Sequence, residues 1–301
     1  MNYPDRYPTR VSDIPAFIDR ADPTVWGDPN GRGPATVEQL GQHSRNGFSV
    51  VDELITPAEV AKLTDELSSM ANDPSLAADD RTVIERRTRQ VRSVFEVHRV
   101  SPLIAKLAAD DRIVGRARQI LCSEVYIHQS RINHKPGFGG GGFYWHSDFE
   151  TWHAEDGLPG PRAVSVSIAL TENLPYNGCL MIMPGSHRTF VSCVGETPPE
   201  HHRQSLREQR IGLPDEESLA KLAAAHGISQ ITGPAGSGTF FDSNCMHGSS
   251  DNITPYPRSN IFIVYNSVHN APVEPFAAPG PRPDYLAARR PEPLRSDVLS
   301  Y

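Results

Sequence analysis

The chain has 301 residues, of which 38% are apolar and 22% charged, with a formal net charge of −7. That balance suits a globular protein with a sizeable core, and its acidic sign argues against general nucleic-acid binding, which needs Lys and Arg to neutralise phosphates. No apolar run approaches membrane-spanning length, and the polar start of the chain lacks a signal-peptide core, so no membrane is involved and the cytoplasm is the expected compartment.

Residues 1–45 are polar and broken by Pro and Gly, and read as an N-terminal arm. Residues 47–51 predict a first strand. A helix follows, with Thr56 as cap, Pro57 at its first position and Glu59 closing a capping box. Val60, Leu63, Leu67 and Met70 share one of its faces. The cluster Arg86, Arg87 and Arg89 reads as a solvated helix face. A second helix starts at Ser101-Pro102 and carries Leu103, Ile104 and Leu107. A third carries Ile113, Val114, Ala117, Ile120 and Leu121.

After Cys122 the period changes to two, with Val125, Ile127 and Gln129 facing one way and Tyr126, His128 and Ser130 the other. Residues 164–170 alternate as a half-buried strand does. Further strands are expected at 179–183, 239–241 and 261–266. Residues 195–226, polar and then helical from Asp215, could form a lid. The Pro- and Arg-rich residues 271–301 read as a poorly structured tail. Four cysteines, at 122, 179, 193 and 245, form no CxxC pair and imply neither a zinc knuckle nor a disulfide framework. With helices early and strands late, the chain reads as one mainly β domain, an antiparallel sandwich or barrel surrounded by helices.

His146-Ser147-Asp148 carries the chemistry. On a strand or its end, residues two apart share a side, so an imidazole and a carboxylate can reach one cation. His247, at the end of the strand-like run from Phe241, offers a third ligand. Two His and one carboxylate on one side of a metal leave positions open for a 2-oxo acid and O₂, as in Fe(II) oxygenases. Arg258, at the entrance of the strand 261–266, is suited to hold the far carboxylate of 2-oxoglutarate bidentately. Taken singly, each has a bland reading: HxD is common, His247 is one of twelve His, and an Arg is usually a surface ion pair. Other motifs are weaker. The run Gly139 to Gly142 lacks a following GK[ST], so it reads as a flexible edge and not a phosphate loop. Asp148, Glu150, Glu155 and Asp156 could supply a glycosidase pair but crowd into one polar loop. Gly185-Ser186-His187 lacks the elbow of a Ser hydrolase. A zinc hydrolase fits the carboxylate-containing triad less well than iron does.

The block Phe143-Tyr144-Trp145-His146-Ser147-Asp148-Phe149-Glu150-Thr151-Trp152-His153-Ala154-Glu155-Asp156-Gly157-Leu158-Pro159 resembles the signature of the ectoine hydroxylases, a branch of the phytanoyl-CoA dioxygenase-like superfamily. The likeness extends to residues 129–137, 177–187, 214–219 and 257–260. It implies a double-stranded β-helix, the jelly-roll core of cupins, and a homodimer. It also implies hydroxylation of L-ectoine to 5-hydroxyectoine with Fe(II), 2-oxoglutarate and O₂, releasing succinate and CO₂. On the matching positions, His146, Asp148 and His247 would be the iron ligands. Lys135, Phe143, Ser167 and Arg258 would lie near 2-oxoglutarate, and Gln129, Thr151, Trp152, Phe241 and Asn266 would line the ectoine pocket. Pro161, where the family usually has Met, and a longer glycine run depart from its pattern. Two rival readings are an iron oxygenase for another small zwitterion and a non-catalytic metal-binding cupin-like module.

Overall fold

A computed structural model describes residues 4–28, 30–85, 88–206 and 209–295. Arg86 and Arg87 lie outside them, as does the end of the expected tail. The strands in chain order are β1 Phe17–Asp19, β2 Phe48–Val51, β3 Thr82–Ile84, β4 Val91–Phe95, β5 Val125–Lys135, β6 Phe143–His146, β7 Ala163–Ala169, β8 Leu180–Ile182, β9 Thr189–Val191, β10 Ser229–Ile231, β11 Gly238–Asp242, β12 His247–Ser249 and β13 Arg258–Ser267. A major sheet has the order β2-β11-β7-β13-β5-β4-β3, and a minor sheet the order β10-β8-β12-β6. Neighbours pair antiparallel throughout. This is the jelly-roll of the cupin kind expected above.

The expected early helices form where their caps place them. Thr56 accepts from the Glu59 backbone N–H, and the Glu59 carboxylate accepts in return from that of Thr56, at the start of the helix Pro57–Ala71. Ser101 and Asp110 cap the helices Pro102–Ala109 and Asp111–Leu121. Their apolar faces (Leu63, Ile104, Leu107, Ile113, Val114) join Val164, Val166, Ile168, Ile261 and Ile263 in the largest core cluster.

Helices thus cover one face of the major sheet while the minor sheet faces the other. Every residue of β7 and β13 is consequently buried, so β7 is not the half-buried strand that its alternation suggested. Its even positions pack on the helices; Ser165 and Ser167 point inward.

A second difference is a bulge. The pairing of β13 with β5 slips between Val264 and Tyr265, which face Gln129 and Ile127. An inserted residue reverses the alternation. Ile127 therefore joins the helix-side core while Gln129 turns into the cavity between the sheets, not to the face of Val125 and Ile127.

The described parts of the arm and the tail are also more ordered than expected. Within the arm, Val37–Asn46 is a helix with a capping box at Thr36, and β1 pairs with β9. The described tail is tied down by backbone bonds, from Ala277 N–H to Ala154 O, Ala288 N–H to His128 O and Leu294 N–H to Val125 O. The glycine run is not a free edge either: Gly140 bridges Asn252, Gly142 N–H donates to Asp251 and Arg92 donates to Gly142 O.

Candidate active site

His146 ends β6 and His247 opens β12, and the two residues face each other across the antiparallel pair. His247 therefore begins a strand of the minor sheet; a tight turn after Asp242 separates it from β11. The imidazole centroids lie 4.2 Å apart. Asp148, at the start of the short helix Asp148–Thr151, brings Oδ1 to 3.6 Å from His146 Nε2 and Oδ2 to 3.9 Å from His247 Nε2. Among the described residues, this is the one group of three or more such side chains close enough to share a metal ion.

The protonation pattern suits that use. His146 Nδ1 donates to Tyr144 O at 2.7 Å, and His247 Nδ1 donates to Cys245 O at 3.0 Å. A carbonyl only accepts, so each Nδ1 carries a proton, which leaves Nε2, the atom nearer Asp148, as the one that can ligate a metal. Burial, with His146 beside it, pulls His247 down to about 4, which keeps it neutral. Burial raises the Asp148 carboxyl, but His247, His146 and Arg131 outweigh it and hold the group well below the usual carboxylate range. Two imidazoles that present Nε2 and one carboxylate on one side are the donor set that Fe(II) takes in oxygenases, so the residues fit iron.

His146 and Asp148 open onto a cavity of about 600 Å³ between the sheets, whose wall includes Gln129, Phe143, Thr151 and Trp152. Ser205, Leu206 and Gln209 of the expected lid segment also line it.

The remaining expected residues lie off this wall. Lys135 and Arg258 are paired across β5 and β13 and fully enclosed at one end of the inner sheet face. Lys135 Nζ donates to Ser249 Oγ and Ser250 O, 5.4 Å from the Phe143 ring centre. Burial, then Arg258 and Arg92, push it down to about 6. Arg258 Nε donates to Asn173 Oδ1 at 3.3 Å, while its buried Nη2 has no partner among the described residues. A buried guanidinium donor with nothing to bind marks a place for an anion. Ser167 Oγ, on the same inner face, accepts from Asn260.

Two of the expected pocket residues do not reach the cavity. Phe241 packs behind His247, ring centres 5.1 Å apart. Asn266 spends its amide N–H groups on Tyr126 Oη and Asn270 O, beyond the bulge. In their place stand Arg131 and Phe95 from β5 and β4 and Arg282 from the tail, to which the motifs assigned no role, and Glu155, which they offered only as a glycosidase carboxylate. Arg131 lies two positions from Gln129 on one strand, a signal that the alternation could have offered once the bulge was known.

The pattern of the phytanoyl-CoA dioxygenase family (PhyH) matches residues 43–260. An ectoine dioxygenase from Nocardia farcinica is 58% identical over 290 residues, 96% of this chain and 95% of that protein. The chain belongs to the phytanoyl-CoA dioxygenase family, in its ectoine dioxygenase branch. The crystal structure of EctD from S. alaskensis with 2-oxoglutarate and 5-hydroxyectoine matches at a TM-score of 0.89 and 45% identity, covering 98% of both chains. The same enzyme with bound Fe matches at 0.88 and 44%, again over 98% of both. The fold is thus that of a family with a solved member that holds Fe.

Proposed function

We propose that the protein hydroxylates L-ectoine to 5-hydroxyectoine, using Fe(II), 2-oxoglutarate and O₂ and releasing succinate and CO₂. The observation that carries this reading is the convergence of two Nδ1-protonated imidazoles and Asp148, where His146 and Asp148 open onto a mixed aromatic and cationic cavity. A non-catalytic metal-binding module would have no use for the unsatisfied guanidinium donor of Arg258.

His146, Asp148 and His247 would hold the iron, which with its cosubstrate supplies the oxidising chemistry. Everything else is positioning by this chain. Arg258 and Lys135 hold the distal carboxylate of 2-oxoglutarate at the buried end of the inner face. Trp152 offers an aromatic face to the amidinium ring of ectoine, and Gln129, whose Nε2 is held by Leu286 O at 2.7 Å, keeps its Oε1 to accept from a ring N–H. Arg131 and Arg282 give the cavity the positive lining that a substrate carboxylate needs. The lid segment and tail keep water out.

The same reading makes the protein a homodimer of the cytoplasm, acting in compatible-solute metabolism under osmotic stress; light scattering on the purified protein tests the dimer. Among the described residues no helix is long and apolar enough to cross a membrane. Succinate release across a panel of small zwitterions tests the substrate. Ectoine should stimulate it most, and a proline or betaine derivative that does so better would replace ectoine in this reading.

A further inference from the structure

The segment from Asp148 to Asp156 is two-faced. Asp148, Thr151, Trp152 and Glu155, at helical spacing, line the cavity. Phe149, Glu150 and His153 face away from it and meet the N-terminal arm. Tyr7 packs edge-on against Phe149 at 5.2 Å, and Asp5 lies 3.0 Å from His153 Nε2. The strongest contact is Arg10. Its Nε and Nη2 bind both oxygens of Glu150 at 2.9 and 2.8 Å, and its Nη1 binds Glu155 at 2.7 Å and Thr197 of the lid segment at 2.8 Å. Thr9 Oγ1 adds a bond to Glu150 at 2.7 Å. All three charged side chains are within 3% of complete burial. Arg10 takes a left-handed backbone, φ 56°, to deliver this fork.

We propose that Arg10 is a positioning residue for the reaction: through Glu150 and Glu155 it sets the angle at which Asp148, Thr151 and Trp152 meet metal and substrate. This inference rests on the ectoine reading above. A buried ion cluster adds little net stability compared with apolar packing of the same volume. What it adds is direction, because a planar fork holding two carboxylates fixes the rotation of the turn that carries both. Glu155 is the shared element, gripped by Arg10 on one side and lining the cavity on the other. The arm, the metal-bearing helix and the lid segment thus meet at one guanidinium.

The test is the ratio of 5-hydroxyectoine formed to succinate released. Loss of folded enzyme lowers both equally and leaves the ratio alone; a tilted Trp152 and Thr151 lets cosubstrate be consumed without hydroxylation. Arg10→Gln should lower the ratio at least three-fold and weaken ectoine binding, read by anaerobic calorimetry, about ten-fold. Arg10→Lys, which reaches one carboxylate only, should fall between parent and Arg10→Gln. Thr9→Val, which removes one donor to Glu150, should shift the ratio in the same direction by less, and it decides the matter if Arg10→Gln does not fold. A parental ratio and affinity in the folded variants would overturn the proposal. A parent enzyme that hydroxylates another zwitterion instead sinks the substrate reading, and the same ratio measured with that substrate still decides Arg10.

Discussion

Replacing Arg258 by Lys isolates what the guanidinium fork contributes to cosubstrate binding. The side chain is buried, anchored through Nε to Asn173 at 3.3 Å, and its Nη2 donor has no partner among the described residues. A carboxylate arriving there gains two charge-assisted bonds from Arg258 and one from Lys135 Nζ if that group leaves Ser249. An ammonium at 258 keeps the charge but offers one bond where the fork offers two. One lost hydrogen bond to a charged group in a buried site costs about 1.5–3 kcal/mol, or roughly 10- to 150-fold in affinity. The assay is succinate release against 2-oxoglutarate concentration, with circular dichroism to confirm the fold. The KM for 2-oxoglutarate should rise by that factor while that for ectoine changes little. A KM within two-fold of the parent would remove Arg258 from the cosubstrate site.

Lys135, pushed down to about 6 when free, regains its proton when a dianion binds beside it. 2-Oxoglutarate affinity is therefore greatest below about pH 6 and falls above it, by at most ten-fold per pH unit, until the raised pKa of the complex is passed; a flat pH dependence of KM between 6 and 8 would contradict this. Trp152→Ala should abolish ectoine turnover while Fe(II) and 2-oxoglutarate still bind. The loss of about 1–2 kcal/mol of cation–π contact should appear in calorimetry as roughly ten-fold weaker ectoine binding. Gly47→Ala should destabilise the fold by about 1–3 kcal/mol, read by thermal melting. Gly47 sits at φ 81°, and an added Cβ would lie 2.4 Å from Cys245 Sγ and 2.6 Å from His187 Nδ1.

The capped helices, the strand cores and the His146, Asp148 and His247 set were legible because each rests on local pattern: a capping box, a period, a spacing. What was not legible depended on long-range pairing. The β5 bulge is invisible in a run of alternating residues, yet it decides that Gln129 enters the cavity. Val164, Val166 and Ile168 alternate with serines as on a half-buried strand, but those serines face a polar site and not solvent. Arg10 and Arg282 sit in segments whose composition resembles loops; their burial follows only from carboxylates more than a hundred residues away. The resemblance to the ectoine hydroxylases supplied Phe241 and Asn266 as pocket residues, and the packing instead puts them behind His247 and against Tyr126.

The central claim is that iron held by His146, Asp148 and His247 hydroxylates ectoine in this cavity. Its most direct test is a turnover reaction of purified protein with Fe(II), 2-oxoglutarate, O₂ and L-ectoine, the product identified by nuclear magnetic resonance. The account predicts 5-hydroxyectoine in step with succinate, and neither from an Asp148→Ala variant that retains its fold. Succinate without 5-hydroxyectoine from the parent enzyme, or 5-hydroxyectoine from the Asp148→Ala variant, would contradict it.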